Sequence, residues 1–197
     1  MSEEKLAQLK TIVAEIADVT YAAALLGWDQ QVNMPPGGAE GRGYQLATLQ
    51  TLAHDKITAP ETGQLLDDLQ AYASQLDPDS DNARYIKVAR RQYDKQTKVP
   101  GEWIAEFAQV TSMAHQVWAQ ARSENNFALF QPSLERIMDL RRRYADFFAP
   151  YDHVYDPLLD DFEPGLKTAD VKAIFNALRP QQVELIKAIT ARPQVEN

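Results

Sequence analysis

The residue types able to hold a metal or move a proton are few and scattered. Histidine occurs at His54, His115 and His153, none within four residues of another. Two imidazoles that share an ion from one helical face have to sit at i and i+4, as in H-E-x-x-H. The chain contains no such motif. It also has no cysteine, which removes thiolate metal sites, a cysteine nucleophile and any disulfide framework. Carboxylates gather in 151-YDHVYDPLLDDFEPG-165, at Asp152, Asp156, Asp160, Asp161 and Glu163. A Ca²⁺ loop needs a fixed ligand spacing around a central glycine, which this segment lacks, and nothing singles out a general acid–base pair within it. It reads as an acidic, solvated crossing loop tethered by Leu158, Leu159 and Phe162.

Two basic stretches invite a nucleic-acid reading. Arg84, Lys87, Arg90, Arg91, Lys95 and Lys98 alternate with Tyr85 and Tyr93, and Arg141, Arg142 and Arg143 stand together. A net charge of −8 argues against phosphate binding, which demands a basic face. Both stretches read as solvated helix faces neutralised by neighbouring acids, with Asp139 placed to pair with Arg143 one turn on. No Gly-x-Gly-x-x-Gly or P-loop occurs, and 112-SMAH-115 lacks the strand–turn context of a nucleophile elbow.

The elements that would position any site are helical nearly everywhere. Leu6, Leu9, Ile12, Val13, Ile16, Val19, Ala23 and Leu26 recur at threes and fours, the mark of one long helix with a buried stripe. A second helix carries Leu46, Leu49, Leu52 and Ala53 to about Ile57. A third opens at Pro60 and holds Leu65, Leu66, Leu69, Tyr72 and Leu76. At 77-DPDSD-81, Asp77 is suited to cap a fourth, with Pro78 in its first turn, running to about Lys98. Pro100 and Glu102 suit the start of a fifth, on which Trp103, Phe107, Val110, Ala114, Val117 and Ala121 form a stripe that Trp118 widens. Beyond 123-SENNF-127 a sixth carries Leu134, Ile137, Met138, Tyr144 and Phe148 as far as Pro150. Thr168 is placed to cap a seventh, through Val171, Ile174, Phe175, Leu178, Leu185 and Ile189, with a kink or break expected at Pro180.

No stretch alternates at period two and no repeat recurs. The fold class is therefore all-α, a bundle of about seven long, mostly antiparallel helices. Residues 1–197 read as a single helical domain: a six-helix core to about 150, an acidic crossing loop at 151–166 and a seventh helix at 167–192. The N-terminus lacks the apolar core of a signal peptide and no apolar run approaches ~18 residues. The expectation is a cytoplasmic protein without a membrane or nucleic-acid partner.

One stretch is harder to dismiss as a plain corner. The sequence 25-LLGWDQQVNMPPGGAEGRGYQLATLQTLAHD-55 spends Gly27, Pro35, Pro36, Gly37 and Gly38 on a single connection. It predicts that Gly27 ends the first helix, that Trp28 anchors the turn, and that Met34-Pro35-Pro36 stiffens the reversal. Gly37-Gly38 lets the backbone enter the next helix tightly, and Asp29 satisfies loop amides as an Asx turn.

That stretch resembles the N-terminal hallmark of the thermostable carboxypeptidase family typified by carboxypeptidase Taq. Two later stretches agree in order and spacing: 99-VPGEWIAEFAQVTSMAHQVWAQARSENNFALFQPSLERIMDLRRRYA-145 and 155-YDPLLDDFEPGLKTADVKAIFNALRP-180. The resemblance covers about residue 5 to about residue 192. It implies a zincin-like, all-helical, commonly homodimeric enzyme, roughly two and a half times this length. Such an enzyme removes C-terminal residues from peptides with a bound divalent metal, usually zinc. Its metal ligands lie on H-E-x-x-H and a downstream glutamate, and the motif's own glutamate activates water.

The chain reaches 191-ARPQVEN-197 without that motif, so no catalytic or metal residue of the family maps onto a position here, and no cofactor is expected in this chain. The resemblance makes this a wall beside the substrate groove, inactive alone. Its partner is the C-terminal catalytic portion, and peptide binds in the full-length form. Trp28, Asp29, Met34 and Arg42 are the candidate groove or interdomain contacts. The other reading is a stand-alone helical interaction or dimerisation module derived from that family.

Overall fold

The computed structural model describes residues 2–193, and among these every regular element is a helix. In chain order they are α1 (Ser2–Val32), α2 (Ala39–Thr58), α3 (Pro60–Ala73), α4 (Asp81–Gln96), α5 (Gly101–Ser123), α6 (Phe127–Asp146), α7 (Asp156–Asp160) and α8 (Thr168–Thr190), with a 3₁₀ turn at Pro36–Gly38 before α2. The seven long helices are present, and α7 adds a short one inside the segment expected to be irregular. The chain divides between Tyr144 and Ala145 into two compact units.

In the first unit, α2 packs chiefly on α5 and α1, and α3 on α1 and α4. Leu6 and Leu9 of α1 meet Leu65, Leu66 and Leu69 of α3 and Ile86 and Ala89 of α4 in one closed apolar cluster. Leu69 lies one helical turn beyond both Leu65 and Leu66, so the three share one face of α3 and offer it a continuous ridge. A second cluster forms around Trp103 of α5, which is 4% exposed. Its ring stacks on Phe107 with centroids 4.8 Å apart, lies 5.0 Å from Tyr144, and its Nε1–H donates to the Leu140 carbonyl at 3.0 Å. Leu140 has no exposed surface, although the stripe read for the sixth helix passes it by.

Several termini differ from the expectation, each for a local reason. Ser80 rather than Asp77 caps α4, its Oγ accepting from the Ala83 amide at 3.4 Å. The Asp77 carboxylate instead closes its own turn onto the Asp79 amide at 3.0 Å, the local bonding that aspartate offers outside helices. α3 ends at Ala73, which leaves Leu76 in the turn beyond. α5 ends with Asn125 at φ 50° and the Asn126 amide bonded to the Ala121 carbonyl at 2.8 Å, a Schellman closure with asparagine in the left-handed position. Trp118 lies at the edge of its stripe and is 48% exposed, so it is not core.

In the second unit the tether is different from the one expected. Phe162 is 84% exposed, whereas Asp156 and Pro157 are buried. Thr168 is the first residue of α8 and not its cap: Lys167 holds that position without a side-chain cap bond. The missing acceptor comes from Asp156, whose Oδ1 takes the Thr168 amide at 2.8 Å. α8 runs through Pro180 without a break.

Candidate functional site

The corner between α1 and α2 is where the sequence concentrated its unusual residues. α1 does not end at Gly27 but continues to Val32. Glycine inside a helix costs ~1 kcal/mol relative to alanine, and interactions on both sides of it offset that. Arg42, on the first turns of α2, reaches back to Asp29 with Nη2–Oδ2 at 2.6 Å, and its Nη1 donates to the Leu26 carbonyl. Its Nε holds Gln45 at 3.1 Å. A guanidinium suits this task because its planar fork serves several acceptors at once. The Arg42 side chain is 11% exposed. The hydrogen bond from Arg42 holds the Asp29 carboxyl below the usual aspartate range, with the charge of Arg42 acting in the same direction and desolvation opposing.

Asp29 is therefore engaged across the corner rather than in an Asx turn. The amides of Asn33 and Met34 are taken by its main-chain carbonyl, at 2.9 and 3.0 Å. Pro35 then has no N–H to continue the helix and disfavours helical backbone at Met34; Pro35 itself is extended, with φ −66° and ψ 152°. Gly38 leaves room for Met34, since a Cβ there would meet Cγ of Met34 at 2.9 Å and push that side chain aside. Met34 is thus half-buried against the start of α2.

Two contacts that no local pattern announces pin this corner onto α5. Gln30 Nε2 donates to the Ser112 carbonyl at 2.8 Å while the Ser112 hydroxyl meets Gln30 Oε1 at 3.2 Å, and Gln116 Nε2 donates to the Pro36 carbonyl at 2.8 Å. Trp28 is not the turn's anchor. It sits within α1, 57% exposed, in a stripe with Tyr21, Leu25 and Val32 at spacings of four, three and four, all on one outward face.

Behind the corner, α1, α2 and α4 enclose a cleft of about 740 Å³ lined mainly by apolar residues, among them Ile16, Ala23, Leu46, Leu49 and Val88. His54 stands at its wall. The imidazole is 9% exposed, with Nε2 2.8 Å from the Val99 carbonyl and 3.2 Å from that of Gln96. Both partners are acceptors, which assigns the proton to Nε2. His54 thus fastens the α4–α5 connection, and its Nδ1 is buried without a hydrogen-bond partner.

The remaining candidates have local contacts of their own. His115 lies 5.8 Å from the Trp118 ring. His153 accepts the Tyr155 amide at Nδ1, 3.1 Å away. Glu106 pairs with Arg136 and, at 3.0 Å, with Arg143, so Asp139 pairs with Arg136 at 3.3 Å instead of the expected Arg143. On α4, Arg90 is shared between Asp67 and Asp94, and Arg84 meets Asp79 at 2.7 Å. Two of the basic residues of this stretch, Arg84 and Arg90, thus have acidic partners.

Among the described residues no group of three or more histidines and carboxylates could hold a metal ion. The donor set does not fit a resident divalent cation, so no step of a metal-assisted reaction is derived from it. What the geometry provides is a stiff corner, a lined cleft and outward apolar faces.

The family profile of carboxypeptidase Taq (M32) metallopeptidases matches residues 8–197. The chain belongs to this family. Carboxypeptidase 1 of Bacillus subtilis is 28% identical over 180 residues, covering 91% of this chain and 36% of that protein. Thermostable carboxypeptidase 1 of Pyrococcus furiosus is 31% identical over 198 residues, covering 98% of this chain and 38% of its own. The BsuCP crystal structure superposes with a TM-score of 0.88 at 26% identity, over 95% of this chain and 37% of the other. This M32 chain therefore spans little more than a third of the length of the relatives it matches. No helix among its described residues is long and apolar enough to cross a membrane.

Proposed function

We propose that this chain is the N-terminal helical portion of a metal-dependent carboxypeptidase that releases C-terminal amino acids from peptides, and that it supplies a wall of the substrate groove. The observation that carries this reading is the profile match over residues 8–197 combined with 36% and 38% coverage of the carboxypeptidases matched. The zinc, or another divalent ion, and the water-activating glutamate belong to the complementary portion, which is also the partner; the complete enzyme is a cytoplasmic homodimer. In this reading Asp29, Arg42 and Met34 hold the α1–α2 corner in shape, and Trp28 presents its exposed indole to the catalytic portion or the peptide.

A stand-alone interaction module is the second reading, favoured by the outward apolar residues of α1 and α8. Fusing this chain to the complementary portion of the Pyrococcus furiosus relative separates the two. Release of the C-terminal residue from a short peptide by the fusion, and not by the chain alone, supports the enzyme reading. A folded, metal-loaded fusion without turnover counts for the module.

A further inference from the structure

Among the described residues, α8 is the one long helix in which no residue is buried. Its 23 residues extend about 34 Å at 1.5 Å per residue. With about 100° between successive residues, Ile174, Phe175, Leu178, Leu185, Ile186 and Ile189 fall within an arc of about 120°. All six are 40–62% exposed. Pro180 lies diametrically opposite this arc, and Asn176, Glu184 and Lys187 share that far side. The proline therefore leaves the ridge intact on both sides of its position. A core-facing pattern of this width belongs to a helix that buries one face, because packing rather than propensity supplies most helical stability. Exposed ridges of this size mark interaction surfaces.

Resting on the reading of this chain as the N-terminal portion, we propose that α8 is the docking helix on which the catalytic portion folds, its ridge entering a groove between helices of that portion. The relatives are long enough to supply the cover, since about three-fifths of each lies outside the matched region. A segment tethered beyond α8 meets the ridge at a high effective concentration that a free second copy lacks.

The test uses the fusion to the complementary Pyrococcus furiosus portion, with a protease site after α8 and an affinity tag on this chain. After cleavage, the wild-type pieces stay together on the column. Ile174→Glu/Ile189→Glu releases the untagged piece more than about tenfold faster, as loss of anchor side chains does at other interfaces, while Asn176→Glu on the far face retains it; far-ultraviolet circular dichroism confirms unchanged helix content. Equal retention by Ile174→Glu/Ile189→Glu overturns the role of α8 and leaves the N-terminal reading standing. Separation of the wild-type pieces overturns both. Separation accompanied by dimers of this chain that the same double variant abolishes assigns the ridge to a second copy and overturns the proposal.

Discussion

The Asp156 carboxylate accepts the amide hydrogen of Thr168 at 2.8 Å, twelve residues further along the chain. Its other oxygen takes the His153 amide at 3.3 Å and faces Lys167 at 3.6 Å. One buried carboxylate so closes the segment before α8 and caps that helix, a task for which serine, threonine or aspartate immediately before the helix is the usual provider.

This arrangement has a pH signature. Thr168, whose amide donates to it, together with Lys167 and the His153 amide, holds the Asp156 carboxyl below its usual range against the opposing effect of burial. A carboxyl with a depressed folded value contributes stability that is complete above its unfolded value, about 3.9, and is lost as pH falls through the folded value. Asp156→Ala is expected to lower the thermal midpoint at about pH 7, and the gap to wild type to close as the pH drops below about 4. Circular dichroism melts at stepped pH check both.

Gly27 lies inside α1, and apart from its chain neighbours and the helix's own backbone nothing comes within 4 Å of where its Cβ would stand. Gly27→Ala is expected to stabilise the isolated chain by about 0.5–1 kcal/mol, through lower entropy of the unfolded state and better helix propensity. Urea unfolding measures it, and a loss of stability would mean that the cleft it lines needs the space.

Removing Trp103 takes away the stacked Phe107 contact, the Tyr144 contact and the Leu140 carbonyl's donor together. Trp103→Ala is expected to cost about 3–5 kcal/mol. Trp103→Phe should restore much of the packing while still leaving the carbonyl short of its partner, a difference that the two midpoints in denaturant report.

For the α1–α2 corner, Asp29→Asn and Arg42→Met are each expected to lower the thermal midpoint. The double variant should fall by less than the sum, since the two side chains act as one unit. Additive effects would show that each residue serves a different partner.

The sequence carried the helices because apolar spacing reports directly on which face is buried: Leu65, Leu66 and Leu69, and Trp103 and Ala114, are where periodicity places them. Helix ends were less legible. Asp77 and Ser80 are equally good caps by type, and the choice between them depends on which one is spent on the turn. Gly27 reads as a terminus until Arg42, 16 residues from Leu26, is seen to reach back over it. The bonds from Gln30 to Ser112 and from Gln116 to Pro36 span 82 and 80 residues, and a single sequence holds no signal for them. Trp118 reads as part of a buried stripe and Phe162 as a tether of the crossing loop because both are large and apolar, yet both are exposed. Apolarity marks what needs covering without saying whether the cover is within the chain.

The central claim is that these helices provide architecture while the metal and its chemistry belong to the complementary portion. Metal analysis of the purified 197-residue chain after incubation with zinc and gel filtration, paired with a C-terminal residue release assay on the same sample, tests it most directly. The account predicts far less than one zinc per chain and no release. One tightly held zinc per chain accompanied by turnover would contradict it.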